Sequence, residues 1–186
     1  MERLAGEIGG EEKNPGVVSY TVALGAWIGA ANVDLEDVLQ AQELLQRSIR
    51  NHKELGWKCK PDSYSFSYLI AICKNFTGTE SERERVLDIA LGALEESLSG
   101  DTSKAPYGLC IHAVDQLCSD EAKRGEIMNR IFDKCCQTGD VTKGVVGAMK
   151  TCAWKENVPE MQVAWSRRVS PRDKPVGVKW ADKSNQ

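Results

Sequence analysis

The sequence predicts an all-α protein, arranged as an α-solenoid of antiparallel helix pairs. Three observations predict it. Clusters of Gly, Pro, Asn and Asp divide the 186-residue chain into pieces of helix length. The pieces alternate between short, mostly apolar segments and longer amphipathic ones, and the alternation recurs along the chain, with no competing strand pattern. Such alternation is typical of helical-repeat proteins, in which one helix layer lines a concave surface and the other lies outside.

The first helix of each predicted pair is short and mostly apolar, and these helices are expected at 17–30, 63–75, 105–117 and about 141–155. The second helices are expected at 35–53, 81–98 and 119–137. In 35–53 the apolar residues recur at spacings of three and four and form one stripe: Val38, Ala41, Leu45 and Ile49. Ser81 followed by Glu84 fits a capping box for the helix at 81–98, and Gly139 is expected to end the helix at 119–137.

These helices group into four repeats, at 17–62, 63–103, 104–139 and 140–168. A remnant of an upstream repeat and a linker is expected at 1–16, a short last helix near 159–168, and an extended or disordered basic tail at 169–186. Measured between Tyr20, Phe66, Tyr107 and Lys143, the repeat length falls from 46 to 41 to 36 residues. The excess is expected in the loops of the first two repeats, at 31–34, 54–60, 76–80 and 99–104.

Composition argues against several function classes. The formal net charge of -3 argues against nucleic-acid binding, which depends on a basic surface. Seven cysteines without a CxxC pair, beside two histidines, do not fit a zinc site, and the thiols are expected to be reduced and mostly buried. No catalytic motif is found, so neither enzymatic activity nor a cofactor is expected. No apolar run approaches the roughly 20 residues of a membrane-spanning helix, so no membrane insertion is expected.

Two segments share a sequence pattern at the start of a predicted first helix. Residues 61–70 read PDSYSFSYLI and are followed by Cys73 and Lys74, and residues 14–21 read NPGVVSYT, with Gly16 in place of the acid. Both resemble the boundary and first helix of a pentatricopeptide repeat, a family with a superhelix like that of tetratricopeptide repeats. Beyond residue 75 the resemblance is weak. Residues 2–8 resemble the tail of a preceding second helix, so the chain resembles the C-terminal part, or a fragment, of a longer array.

The resemblance implies binding of single-stranded RNA, with one base per repeat read by side chains on the concave face. Thr21 and Asp62 would hydrogen-bond one base edge, and Val18 and Tyr64 would sandwich that base. In the family, a Thr with Asp combination tends to favour guanine.

The later units are poorer readers by the same resemblance. Ser67 would pair with Ser103 in the second unit, and Gly108 with Gly139 in the third. Neither pair specifies a base, so recognition by this chain is expected to be weak.

Charge placement weakens the objection from net charge. The predicted first helices sum to +3 and the second helices to -3, so acid is concentrated on the layer expected to be outside. The candidate phosphate contacts are Lys74, Lys143 and Lys150, together with basic residues of the tail: Arg167, Arg168, Arg172, Lys174 and Lys179. These lysines are equally consistent with ordinary solvated surface, and the aromatic residues Tyr20, Phe66 and Tyr68 are favoured as packing residues.

Two functions remain open. The first is an RNA-binding protein in organellar RNA processing, stability or translation. Its localisation, mitochondrion or plastid, is implied by the family resemblance only, because no transit peptide is visible. The alternative is a protein-interaction scaffold, or a structural subunit of a ribonucleoprotein complex with degenerate repeats, whose partners would be other proteins of that complex.

Overall fold

The computed structural model describes residues 14–30, 32–99 and 105–153, and these residues form seven α-helices. The helices are α1 (Val17–Gly25), α2 (Leu35–Leu55), α3 (Ser63–Lys74), α4 (Glu80–Ser99), α5 (Tyr107–Leu117), α6 (Glu121–Thr138) and α7 (Lys143–Ala153). An isolated β-bridge joins Val33 to Phe76, and no strand is formed among the described residues. The predicted all-α class is therefore confirmed. The predicted helix at 159–168, the tail at 169–186 and residues 1–13 of the remnant lie outside the described residues.

Helix α1 is shorter than predicted because the chain after Gly25 forms 3₁₀-type turns instead of continuing the α-helix. The helix was expected over 17–30 but ends at Gly25, and the amides of Ala26, Trp27 and Ile28 each bond the carbonyl three residues earlier, at 3.2 to 3.3 Å. The indole Nε1 of Trp27 then donates to Asp37 in the first turn of α2, at 3.0 Å. This bond ties the end of α1 to the start of its partner helix.

The predicted capping box of α4 is wrong by two residues. Thr79, not Ser81, caps the helix: its amide and its hydroxyl both donate to Oε2 of Glu82, at 2.8 and 2.7 Å. The sequence TESERE at 79–84 contains two overlapping capping patterns, and the earlier one is used, so Ser81 and Glu84 lie inside the helix. The predicted end of α6 at Gly139 is confirmed, because Gly139 has the left-handed φ of 79° that favours glycine.

The helices lie in two layers. The odd-numbered helices pack on one another in chain order, from α1 to α3 to α5 to α7, and each even-numbered helix packs on the odd-numbered helices before and after it. Helices α2 and α4 touch each other much less than α3 touches α5. The core lies between the layers, and its largest fully buried aliphatic side chains come from both: Leu24, Val38, Leu45, Leu69, Ile70, Ile72, Ile111 and Leu117. No helix among the described residues is both long enough and apolar enough to cross a bilayer.

One contact between the layers recurs with the same sequence separation. Asn51 on α2 donates to the phenol oxygen of Tyr20 at 2.9 Å, and the phenol oxygen of Tyr107 lies 3.0 Å from Oγ1 of Thr138 on α6; each pair is 31 residues apart. The same step from Phe66 leads to Ser97, a fully buried serine on α4 that donates to a carbonyl of its own helix.

The helix bounds show where the repeats differ in length. Nine residues separate α1 from α2, five separate α3 from α4, and three separate α5 from α6. Seven residues lie between α2 and α3 and seven between α4 and α5, against four between α6 and α7. The loops of the first two repeats are therefore longer than those of the third.

Candidate nucleic-acid interface

A chain of hydrogen bonds joins the two predicted base-reading residues of the first unit. Oγ of Ser65 donates to Oδ1 of Asp62 at 2.9 Å and lies 3.0 Å from Oγ1 of Thr21. Thr21 belongs to α1, whereas Asp62 and Ser65 belong to the start of α3. The packing of α1 on α3 thus brings together two side chains that lie 41 residues apart in the sequence.

Ser65 is the residue that sequence reasoning missed. It is only 1% exposed and lies between the two predicted readers. Asp62 is the N-cap of α3 and accepts from the amide of Ser65 at 2.9 Å, and the hydroxyl of Ser65 also accepts from the amide of Asp62 at 3.4 Å. An aspartate followed by a serine three residues later at a helix start is a capping pattern, so the sequence did carry a signal for this pair.

The hydroxyl protons in this series of hydrogen bonds are donated to acceptors within the protein. The Ser65 hydroxyl proton goes to Asp62, so Ser65 has only lone pairs left for Thr21. The single hydroxyl proton of Thr21 has two acceptors, the carbonyl of Val17 at 2.9 Å and Oγ of Ser65. Among the described residues nothing donates to Oδ2 of Asp62. Both partly buried readers therefore offer hydrogen-bond acceptors to a ligand.

The predicted sandwich residues Val18 and Tyr64 are exposed. Val18 is 70% exposed and Tyr64 is 64% exposed, and Val22, one turn after Val18, is 67% exposed. The rings of Tyr64 and Tyr68 meet edge to face, with centroids 6.5 Å apart. Val18 lies one turn before Thr21 on α1, and Tyr64 lies two residues after Asp62 at the start of α3, so an exposed side chain accompanies each predicted reading residue.

The aromatic residues near the start of the first helices are packing residues. Tyr20 is 5% exposed, and Phe66 and Tyr107 are also buried. Tyr68 is partly buried and packs on the core, and Cε2 of its ring would lie 3.4 Å from a Cβ atom at Gly25. These residues fill the space within and between the layers, as the packing interpretation expects.

The second and third units do not present a comparable pair. The Ser67 hydroxyl donates to the carbonyl of Ser63 at 2.7 Å, within α3, and its predicted partner Ser103 lies outside the described residues. At the third unit a Cβ atom on Gly108 would lie 3.4 Å from the backbone oxygen of Gly144 on α7. The α5 and α7 backbones approach so closely there that a long side chain at 108 would not fit, and Gly139 serves as a helix end.

The predicted phosphate contacts do not lie on one helix. Lys74 is the partly buried last residue of α3, whereas Lys143 and Lys150 are exposed residues of α7. Helix α5 packs on both α3 and α7 and lies between these positions. The basic residues predicted for the tail lie outside the described residues.

The cysteines are buried, and none forms a disulfide bond. Burial raises the pKa of the Cys110 thiol to about 12, and burial together with the neighbouring Cys110 raises the pKa of the Cys73 thiol to about 12. Such thiols are protonated at neutral pH and are poor nucleophiles and metal ligands. Sγ of Cys152 lies 3.3 Å from Nδ1 of His112, but the described residues contain no group of three or more His, Cys, Asp or Glu side chains suited to a metal ion.

Comparisons with known proteins add no relative: no family model matches the chain, and neither curated proteins nor solved structures give a match.

Proposed function

We propose that this chain is a pentatricopeptide-type α-solenoid that binds single-stranded RNA on its layer of odd-numbered helices. The observation that carries the proposal is the hydrogen-bonded group of Thr21, Ser65 and Asp62, flanked by the exposed apolar side chains of Val18 and Tyr64. Polar acceptors between exposed stacking surfaces are the features that recognise an unpaired base.

The packing of the layers supports a curved array. The odd-numbered helices pack closely, whereas α2 and α4 are splayed, and a two-layer array bends towards its tighter layer. The odd-numbered layer would then be concave. The recurring 31-residue step from Tyr20 to Asn51 and from Tyr107 to Thr138 supports a repeated unit.

The acceptor character of the site favours guanine. The Watson–Crick edge of guanine presents two adjacent donors, N1–H and the 2-amino group, and it would satisfy both Thr21 and Asp62. Uracil offers one donor on that edge, and the acceptor at N1 of adenine or N3 of cytosine would face an acceptor of the protein. Each mismatched hydrogen bond costs on the order of 1–3 kcal/mol. This chemistry agrees with the preference that the family resemblance implies.

The same reasoning limits how much sequence the chain reads. Only the first unit presents a reading pair among the described residues, so most of the affinity would come from backbone contacts, with Lys74, Lys143 and Lys150 as candidates. A role in RNA processing, stability or translation in a mitochondrion or plastid follows the family resemblance alone and forms part of the proposal. Cofactor-free binding without catalysis is the corresponding expectation.

A filter-binding titration tests the proposal. Random-sequence single-stranded RNA is titrated at low and at physiological salt, with duplex RNA of the same length as the control. We expect single-stranded RNA to bind better than duplex RNA, with an affinity that falls as salt rises because phosphate contacts release counterions. Absence of binding even at low salt would overturn the RNA function.

One observation favours the second candidate, a protein scaffold. At the third unit the reading position is occupied by the close approach of Gly108 to the backbone of Gly144, so this part of the odd-numbered layer has lost the means to read a base. If no RNA binds in the titration, a structural role in a larger assembly becomes the better explanation.

A further inference from the structure

A groove runs along the other layer, between α2 and α4, and the RNA proposal does not use it. Its volume is about 670 Å³. Its lining on α4 recurs every three or four residues, from Arg85 through Asp88, Ile89 and Gly92 to Ser99, so it follows the helix for about 20 Å. An elongated groove of this length matches about four turns of a helix better than it matches a small molecule.

The groove has an apolar floor. Leu39 and Ile89 are partly exposed on its two sides, and Leu45, Leu69 and Ala93 form the buried base. The floor exists because α2 and α4 are splayed, so the apolar stripes of the two helices are not fully covered by each other. A partner that bound on this floor would remove its apolar surface from water, which favours binding.

The α4 wall of the groove is acidic, whereas the α2 wall is uncharged. Asp88, Glu95 and Glu96 outnumber the one basic residue, Arg85, and all but Glu96 are exposed. Nε2 of Gln46 donates to Oε2 of Glu96 at 2.9 Å, which holds that carboxylate at the edge of the groove. This charge repels RNA phosphates and complements lysine or arginine.

An open glycine lies at the middle of the groove. Gly92 is exposed, and nothing lies within 4 Å of a Cβ atom placed on it. A glycine inside a helix is destabilising relative to alanine, and its missing side chain leaves room for close approach of another chain.

We propose that this groove binds a basic amphipathic helix of a protein partner, with apolar side chains on the floor and lysine or arginine side chains against Asp88 and Glu95. Charge complementarity and the length of the groove identify this occupant. Because the groove lies on the even-numbered layer, a protein and an RNA could be held at the same time, and this inference does not depend on the RNA function.

The test uses the full chain and a fluorescein-labelled Leu/Lys amphipathic peptide of about 16 residues, about four helical turns, measured by fluorescence anisotropy. The same peptide with Glu for Lys is the charge control. We expect the lysine peptide to bind and the glutamate peptide to fail. Gly92→Gln should weaken binding about tenfold or more because it fills the centre of the groove. Gly147→Gln on α7, also at a glycine with open space around it, should leave binding unchanged.

A second pair of variants separates the groove from net charge. Asp88→Lys combined with Glu95→Lys should abolish binding, whereas Glu43→Lys combined with Glu84→Lys, at exposed acids outside the groove, makes the same charge change and should largely retain it. All four acids are exposed, so the fold should tolerate both variants. Equal weakening by the two pairs, or full binding by Gly92→Gln, would overturn the proposal. A dimer seen by sedimentation that Gly92→Gln dissociates would also overturn it, because a second copy would then be the occupant.

Discussion

Oγ1 of Thr21 lies 3.0 Å from Oγ of Ser65, across the interface of two helices whose contacting residues are 44 positions apart in the sequence. Ser65 is in turn bonded to Asp62. A buried hydroxyl therefore connects the two side chains that are proposed to read a base, and its own proton is donated to the carboxylate. This arrangement sets both the position and the acceptor character of the Thr21 hydroxyl.

Ser65→Ala should uncouple this group. We expect a loss of about 1–2 kcal/mol in the free energy of unfolding, because a cap contact and a buried hydrogen bond disappear. The preference for guanine over adenine in an oligonucleotide competition should fall severalfold, while total RNA affinity changes little. Ser99→Ala on α4, which removes a hydroxyl bonded within its own helix and outside the odd-numbered layer, is the matched control and should alter neither quantity by much. An unchanged guanine preference in Ser65→Ala would show that the hydrogen-bonded group does not read a base.

Asp62→Asn separates the proposed reading role of Asp62 from its capping role. Asparagine caps a helix as well as aspartate does, so the free energy of unfolding should change by less than about 1 kcal/mol. If the amide oxygen keeps the bonds to Ser65, the amide nitrogen takes the place of Oδ2 and presents donors where guanine also presents donors. We expect guanine preference to be lost in the competition assay with the protein still folded by circular dichroism. Retained preference would mean that the carboxylate acts as a cap only.

Much of the fold could be predicted because it depends on local patterns. The predicted stripe of Val38, Ala41, Leu45 and Ile49 is buried in α2, since apolar spacing of three and four determines which face a helix buries. Gly139 ends α6 as expected, because glycine adopts the left-handed conformation of a helix end more readily than other residues do. The start of α4 was misplaced because two capping patterns overlap within six residues, and local spacing alone does not choose between them.

The site was only partly predictable, since its geometry depends on contacts between repeats. Thr21 and Asp62 were proposed through the family resemblance, but the link through Ser65 appears only when α1 packs on α3. The closed third unit likewise results from the approach of α5 to α7 at Gly108, a distance that no local pattern contains. The groove between α2 and α4 results from helix splay, which a pattern of apolar residues does not specify.

The buried thiols predict a loss of stability at alkaline pH. The pKa of Cys73 and of Cys110 is about 12 in the folded protein and 9.0 in the unfolded chain. Above pH 9 the unfolded chain therefore releases protons that the folded protein retains, and the stability present below pH 9 falls as pH rises towards 12. Each thiol contributes up to about 1.4 kcal/mol per pH unit in that window.

Urea unfolding under reducing conditions, at several pH values from about 8 to 10.5, measures this slope. Cys110→Ala should unfold more easily at every pH, because it leaves a small cavity, but its stability should fall less steeply above pH 9. Lysine and tyrosine residues titrate in both proteins, so the difference between the two slopes isolates the thiol. Identical slopes would contradict the assignment of the raised pKa to buried Cys110.

Two exposed glycines should respond to alanine with opposite signs. A Cβ atom at Gly78 would overlap Cζ of Phe76 and lie 2.8 Å from Oε2 of Glu82. This carboxylate oxygen accepts the hydroxyl hydrogen bond of Thr79, the residue that caps α4. Because the Phe76 side chain is buried, it must leave its place in the core for the new atom to fit, and we expect Gly78→Ala to cost about 1–3 kcal/mol. Gly92 has open space at the same point, so Gly92→Ala should stabilise the protein by roughly 0.5–1 kcal/mol through the helix preference of alanine alone. Urea unfolding midpoints that move in the same direction for both variants would contradict this account, because surface exposure would then predict the response better than the atoms around each Cβ position.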